Sequence, residues 1–357
     1  MLTEHFHNTQ KDTGHYSNDL RYVLSLQNTI AAFEEIKTWE GYAKTPLHSL
    51  DSMASDIGVK NIYYKDESSR FGLGSFKALG GTYGVLKFIH HALKKEIGDE
   101  VSMKDIHAGK YSEQISKYTV TTATDGNHGR SVAFGAKLFG CKCQIYIHSE
   151  VSSGRQKAME DLEATVNRVS GNYDASLQIC IEDAGKNNWY VISDTSYEGY
   201  TKYPRYIMAG YNVMAEEIID QIKDRPLPTH VFLQGGVGSF PGAICGYFWE
   251  KFPGNNIKFV VVESEHAPCL IRSAQNNQMT SVNIKQETMM AGLSCGEPSL
   301  LGWEILKSGT DDFITINDSS IPGLMRLLAK NNLKIEAGES SVAGLAGLIE
   351  SMEDQKI

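Results

Sequence analysis

The sequence predicts an α/β protein in two lobes, each built on a mainly parallel, twisted sheet flanked by helices. Three observations predict it. Short β-branched runs alternate with amphipathic helical stretches, and the junctions from strand to helix are rich in glycine. The chain of 357 residues also exceeds the size at which one hydrophobic core stops growing.

In chain order the strand-like runs are residues 62–65, 118–122, 143–147, 165–169, 189–193, 230–234 and 258–262, most of them short and rich in Val, Ile, Thr and Tyr. Between them, apolar residues recur at helical spacing over 78–93, 129–138, 156–162, 173–184, 207–221 and 241–251. The pattern places a crossover helix after each strand. Residues 87–211 hold their own run of strands and helices and are assigned to a smaller lobe. Residues 1–86 and 212–357 form a larger, discontinuous lobe. Ligands of such sheets gather beyond the carboxyl ends of the strands, which directs attention to the loops after Lys65, Thr122, Ser193 and Gln234.

Composition narrows the function classes. Hydrophobic residues make up 41% and charged residues 22%, an ordinary globular balance. The formal charge of -9, with both signs interspersed, provides no basic stripe for nucleic acid. The six cysteines are scattered, without CxxC pairs or histidines at zinc spacing, so no metal site is expected and a reduced, cytoplasmic setting fits. Cys141 and Cys143 alternate as on one face of a strand. Sequence alone does not decide whether Cys269 and Cys295 meet. No apolar run reaches the length of a membrane span, so a membrane partner is not expected.

Four segments carry the chemistry. Ser68 to Gly81 is a glycine-rich loop that delivers Lys77 to the start of a helix. The positive end of that helix disfavours the charged amine, which helps Lys77 act as a nucleophile. After the strand 230–234, Gly235-Gly236-Val237-Gly238-Ser239 lets backbone N–H groups converge on an anion at a helix start, with the Ser239 hydroxyl as a further donor. A dinucleotide fold competes here, because Glu263 ends the next strand at the offset of a ribose-binding acid; Pro241 stands where its third glycine belongs. The loop Thr122 to Arg130 offers Gly126 and Gly129 for close approach to a planar ligand and Asn127 for a ring oxygen. His128 is either a proton-transfer group or, as a lone histidine at a helix start more commonly is, a cap or packing residue. Asp194 follows the strand ending at Ser193.

Gly-Ser-Phe-Lys-x-x-Gly-Gly around Lys77, the Asp-Gly-Asn-His-Gly loop and the Gly-Gly-Val-Gly-Ser loop together resemble the fold-type II pyridoxal-phosphate enzymes, the group that includes the tryptophan synthase β chain. Lys65-Asp66-Glu67-Ser68-x-Arg70-Phe71-Gly72-Leu73, the stretch Asp194 to Lys202, and Met290-Ala291-Gly292-Leu293-x-Cys295-Gly296-Glu297-Pro298 resemble the diaminopropionate ammonia-lyases. The resemblance implies pyridoxal 5'-phosphate as cofactor, with Lys77 as its Schiff-base lysine and as a base at the substrate's Cα. It implies Asn127 at the cofactor's 3'-oxygen and the backbone of Gly235, Gly236, Val237, Gly238 and Ser239 at its phosphate. It further implies α,β-elimination of an amine from a small amino acid, a homodimer, and action on both enantiomers. Asp125 stands where related dehydratases have a small uncharged residue. A β-ammonium group calls for such an acid, and Asp125 would also take the D-isomer's proton. The alternative for Asp125 is a helix N-cap. Asp194 matches a second family acid. Glu297 and the Gly338-Glu339-Ser340-Ser341 turn resemble further cofactor-lobe loops, although capping of the following helix also explains the serines.

Three other readings stand beside this one. They are a serine, threonine or hydroxyaspartate dehydratase with the same cofactor, an NAD(P)-dependent oxidoreductase built on the Gly235 loop, and an inactive cofactor-binding remnant. The family continues past the Gly338 turn and its helix with a strand and a threonine-rich loop that partners the pyridine nitrogen, whereas this sequence stops at Ile357. The expectation is either an exposed apolar sheet edge or a ring-nitrogen partner from elsewhere.

Overall fold

A computed structural model describes residues 1–12, 14–124, 126–330 and 334–354. The strands are β1 (Leu2–His7), β2 (Leu47–Ser49), β3 (Tyr63–Lys65), β4 (Thr119–Ala123), β5 (Lys142–His148), β6 (Thr165–Val169), β7 (Tyr190–Val191), β8 (His230–Gln234), β9 (Lys258–Ser264) and β10 (Asp312–Ile316). They form two four-stranded sheets, in the orders β1-β10-β9-β8 and β6-β5-β4-β7, and a separate β2-β3 pair. The second sheet is parallel throughout. In the first, β8, β9 and β10 are parallel and β1 closes one edge antiparallel.

Burial explains the sequence pattern. All residues of β4 and β10 are buried, as expected for parallel strands covered on both faces, so they read as apolar or Thr-rich runs without alternation. The helix Lys77–Ile97 packs closely against both Asn127–Phe139 and Lys202–Tyr211, and Asn127–Phe139 lies on β4 and β5 of the second sheet. The helix Ala343–Asp354 packs against β8, β9 and β10, with Val260, Val262, Ile314 and Ile316 in a second core cluster.

Several expectations change. Not every strand feeds a crossover helix, because β2 and β3 are antiparallel neighbours and β1 is an antiparallel edge. The helical run 207–221 is two helices, Lys202–Tyr211 and Val213–Gln221, meeting at Asn212. The buried amide of Asn212 donates to Thr29 Oγ1 at 3.0 Å. The expected lobe boundary at 86/87 falls inside the continuous helix Lys77–Ile97. Among the described residues, the outer edge of β8 has no strand partner. Among the described residues no cysteine is held in a disulfide. No helix among the described residues is long and apolar enough to cross a membrane.

Candidate active site

A cleft of about 2070 Å³ is lined by Lys77, Asn127, His128, Asp194 and the Gly235 loop. Each comes from a loop or helix start following a strand of one of the sheets. Lys77 opens the helix Lys77–Ile97. The approach to it is anchored by Arg70, whose guanidinium is buried and donates to both carboxylate oxygens of Glu217, at 2.9 and 2.8 Å, and to Glu67. Lys65 adds a 2.7 Å bond to the same Glu217. Two acids and two bases therefore form a paired cluster in which Arg70 and Glu217 are buried and Lys65 and Glu67 partly so, and the Ser68–Phe76 loop hangs from it.

The helix itself is seated by close contacts that only glycine permits. A Cβ on Gly80 would lie 2.4 Å from the Tyr211 ring, and one on Gly81 would lie 2.4 Å from Ser131 Oγ. Ser131 in turn donates to the Lys77 carbonyl at 2.6 Å and accepts from the Thr82 amide at 3.0 Å. The glycine pair of the sequence motif thus holds the lysine's backbone against two neighbouring helices.

Asp194 is the hub of the site. Lys77 Nζ donates to Asp194 Oδ2 at 2.6 Å, and the Tyr211 hydroxyl approaches the same oxygen at 3.5 Å. His128 Nδ1 faces it at 3.7 Å. Burial alone raises the Asp194 carboxyl; the positive groups facing it, His128 when protonated and Lys77, outweigh burial and hold it well below the usual carboxylate range. Burial also pushes His128 down, away from its charged form. The loop around the acid is fixed from several sides. Ser239 Oγ donates to the Asp194 carbonyl at 2.6 Å, the Ser193 amide donates to the Tyr200 hydroxyl at 3.0 Å, and Ser196 and Ser299 share a 2.7 Å hydroxyl bond.

Gly236 and Gly238 adopt positive φ, +61° and +94°, which lets the loop turn into the helix Ser239–Lys251. Gly235 has no room for a side chain, since a Cβ would lie 2.6 Å from Glu263 Cγ. The loop's carbonyls are engaged: Val237 accepts from Ser299 and Gly235 accepts from Gly238. Among the described residues no protein oxygen accepts from the amides of Gly236, Val237 and Ser239. Such a set of open donors at a helix N-terminus fits a phosphate, and an amine lies across the cleft for an aldehyde.

Other expected residues fall as follows. Asn127 is exposed toward the cleft at its helix start. Gly238 does not line the cleft and packs beside Leu270 and Leu306. Asp125 lies outside the described residues. Thr124 Oγ1 accepts from the Gly126 and Gly129 amides, which caps that turn. Glu297 and Glu339 line the cleft, and Arg155 reaches Glu339 at 3.4 Å. Among the described residues no group of three or more His, Cys, Asp or Glu side chains is arranged to hold a metal ion. Glu263 is not available as a ribose-binding acid, because its buried carboxyl accepts from the Leu270 and Ile271 amides at 2.9 and 2.8 Å and caps the helix Cys269–Asn276. Tyr211, Ser131 and Ser299 were not singled out by sequence, because their contacts join segments far apart in the chain.

Residues 38–357 match the family model described as pyridoxal-phosphate dependent enzyme. The chain belongs to this family. It is 38% identical over 312 residues to a diaminopropionate ammonia-lyase of Escherichia coli, covering 86% of this chain and 77% of that protein. It is 36% identical over 343 residues to one of Salmonella typhimurium, covering 93% and 85%. Among solved structures, that of the Escherichia coli diaminopropionate ammonia-lyase in complex with an aminoacrylate-PLP azomethine reaction intermediate matches with a TM-score of 0.86 at 34% identity, covering 98% of this chain and 87% of that one. As a pyridoxal-phosphate dependent family member, the chain has the α/β architecture of fold type II and this cofactor.

Proposed function

We propose that this protein is a carbon–nitrogen lyase that converts 2,3-diaminopropionate to pyruvate and ammonia by α,β-elimination. The observation that carries the reading is the Lys77 amine, bonded to Asp194 at 2.6 Å, in one cleft with the open amides of the Gly235 loop. The similarity to diaminopropionate ammonia-lyases supports the choice of substrate.

When bound, pyridoxal phosphate supplies the electron sink that lets a proton leave the substrate's α-carbon and an amine leave its β-carbon. The chain's residues supply the rest. The amides of Gly236, Val237 and Ser239 hold the phosphate, in the backbone stretch Gly235–Ser239, and Asn127 donates to the ring oxygen. Lys77 is the covalent attachment point, and its freed amine takes the α-proton at Nζ. Asp194 holds the resulting ammonium. Asp125 pairs with the β-ammonium group and takes the proton of the D-isomer. The smaller lobe is centred on residues 87–211, with its boundary to the flanks running through the helix Lys77–Ile97; the protein is a homodimer, and cysteines outside any disulfide fit a cytoplasmic setting.

The test is an absorbance spectrum of the purified protein with a pyruvate assay on both diaminopropionate enantiomers and on serine. The expected result is a visible Schiff-base band that Lys77→Ala abolishes, with faster pyruvate release from diaminopropionate. Faster turnover of serine would make the protein a dehydratase, and a band unaffected by Lys77→Ala would remove Lys77 from its role.

A further inference from the structure

The geometry points to His128 as a positioning residue that stores, at Nδ1 and by way of Asp194, the proton Lys77 must shed to become a neutral amine again. The inference rests on the function proposed above.

His128 is the second residue of the helix Asn127–Phe139, and its ring is buried at 5% exposure. Its Nε2 lies 2.8 Å from the Ile192 carbonyl oxygen. A carbonyl only accepts, so Nε2 carries the hydrogen and the neutral ring presents a bare Nδ1. That nitrogen is buried and has no hydrogen-bond partner among the described residues. It faces Asp194 Oδ2 at 3.7 Å. Two acceptors confront each other there, and a proton on Nδ1 turns the confrontation into a charge-assisted hydrogen bond after a small approach. Helix capping does not account for the histidine, because Thr124 already accepts from the Gly126 and Gly129 amides.

The surrounding charges suit a store that is empty at rest. Burial disfavours the imidazolium, Asp194 favours it and Lys77 opposes it. Lys77 comes from one packed helix, Tyr211 from another with its hydroxyl on the same Asp194 oxygen, and Asp194 from the loop after β7. While Lys77 is an ammonium, His128 stays neutral. Once Nζ has taken the α-proton, one N–H proton passes to Asp194 Oδ2 and the carboxyl passes it to His128 Nδ1. Lys77 is left with its electron pair free, Asp194 is again a carboxylate and His128 is an imidazolium. The proton would return by the same two transfers when Lys77 again serves as the cofactor's attachment point.

The test compares the holoenzyme with His128→Gln, whose amide still donates to Ile192 but stores no proton. A filled store cannot accept, so the wild-type kcat profile has an acidic limb of unit slope. His128→Gln is expected to lose that limb and to lower kcat by about 100-fold, in the range for a proton-transfer group, with KM within about threefold. A retained limb with kcat within about twofold overturns the inference. If the visible band itself is missing from wild type, the proposed function fails instead. Should the variant not fold, ¹⁵N-histidine spectra of wild-type holoenzyme decide. A neutral His128 protonated at Nε2 that becomes an imidazolium during turnover supports the store, and the opposite tautomer overturns it.

Discussion

The Ser239 hydroxyl donates to the Asp194 carbonyl at 2.6 Å, tying the first residue of the helix below the glycine loop to the acid that holds Lys77. This bond engages the hydroxyl expected from sequence to face the phosphate, so the Ser239 amide is what remains for the anion. Ser239→Ala leaves a carbonyl short of its donor, at about 1–3 kcal/mol. The expected outcome is a kcat reduced about tenfold, with the cofactor dissociation constant within about threefold because the backbone amides are untouched. Steady-state kinetics and a cofactor titration measure the two separately.

Gly80→Ala places a methyl group 2.4 Å from the Tyr211 ring and 2.7 Å from the Ile207 carbonyl, and backbone on one side cannot rotate away. Overpacking of this kind costs about 1–3 kcal/mol. Urea unfolding is expected to show that loss, together with weaker coupling between Tyr211 and Asp194. The same methyl at Gly323, where nothing lies within 4 Å, is expected to leave stability nearly unchanged.

Strands whose own composition settles the matter were legible: β6 and β8 fall on the expected residues, and the loops after β3, β4 and β8 all reach the cleft. β10 escaped notice although Asp312–Ile316 is wholly buried, and β1 escaped because Leu2–His7 mixes Thr, Glu and His with few apolar residues and pairs only through a partner some 300 residues away. In the site, Lys77 and the glycine nest carry local signatures. The convergence of Lys77, Tyr211 and His128 on one oxygen of Asp194 does not, because it depends on how three helices pack. Glu263 left a competing reading open for a related reason: its offset from the glycine loop fits a ribose acid, but its partners are the amides of the helix that follows it.

Glu217 anchors the lysine loop. Burial alone raises its carboxyl, but the Arg70 and Lys65 contacts outweigh this and hold it below its ordinary value. A depressed carboxyl contributes stability above its unfolded pKa and loses it as pH falls toward the folded one. Glu217→Gln is expected to remove that acid-side dependence and to cost about 3–5 kcal/mol at neutral pH, because Arg70 stays buried with one partner fewer. Denaturant midpoints measured across pH report both effects.

At Asp125 the prediction concerns specificity. Asp125→Ser removes the partner proposed for the β-ammonium group and restores the small residue of related dehydratases. Pyruvate formation from diaminopropionate is expected to fall at least about 100-fold and that from serine to fall less or rise, in line with the discrimination a charge-assisted contact provides. Turnover of the D-isomer should suffer more than that of the L-isomer, which an enantiomer-resolved assay reads directly.

Glu263 runs opposite to Glu217. Burial pushes its carboxyl up to about 8, and the Leu270 and Ile271 amides recover only part of the loss. Its unfolded pKa is near the ordinary 4.5. Between those two values the folded protein binds more protons than the unfolded one, so stability falls as pH rises through the window, at up to about 1.4 kcal/mol per unit for this one group. Glu263→Gln cannot ionise and keeps one oxygen for the helix amides. Unfolding free energies between about pH 5 and about pH 8 are therefore expected to fall less steeply with pH in the variant than in wild type. A wild-type slope retained in Glu263→Gln would mean that another group sets it. Because the Glu263 stem also packs where a Gly235 side chain would sit, cofactor affinity should fall at high pH in wild type if ionising the carboxyl loosens the loop, and Glu263→Gln should remove that fall.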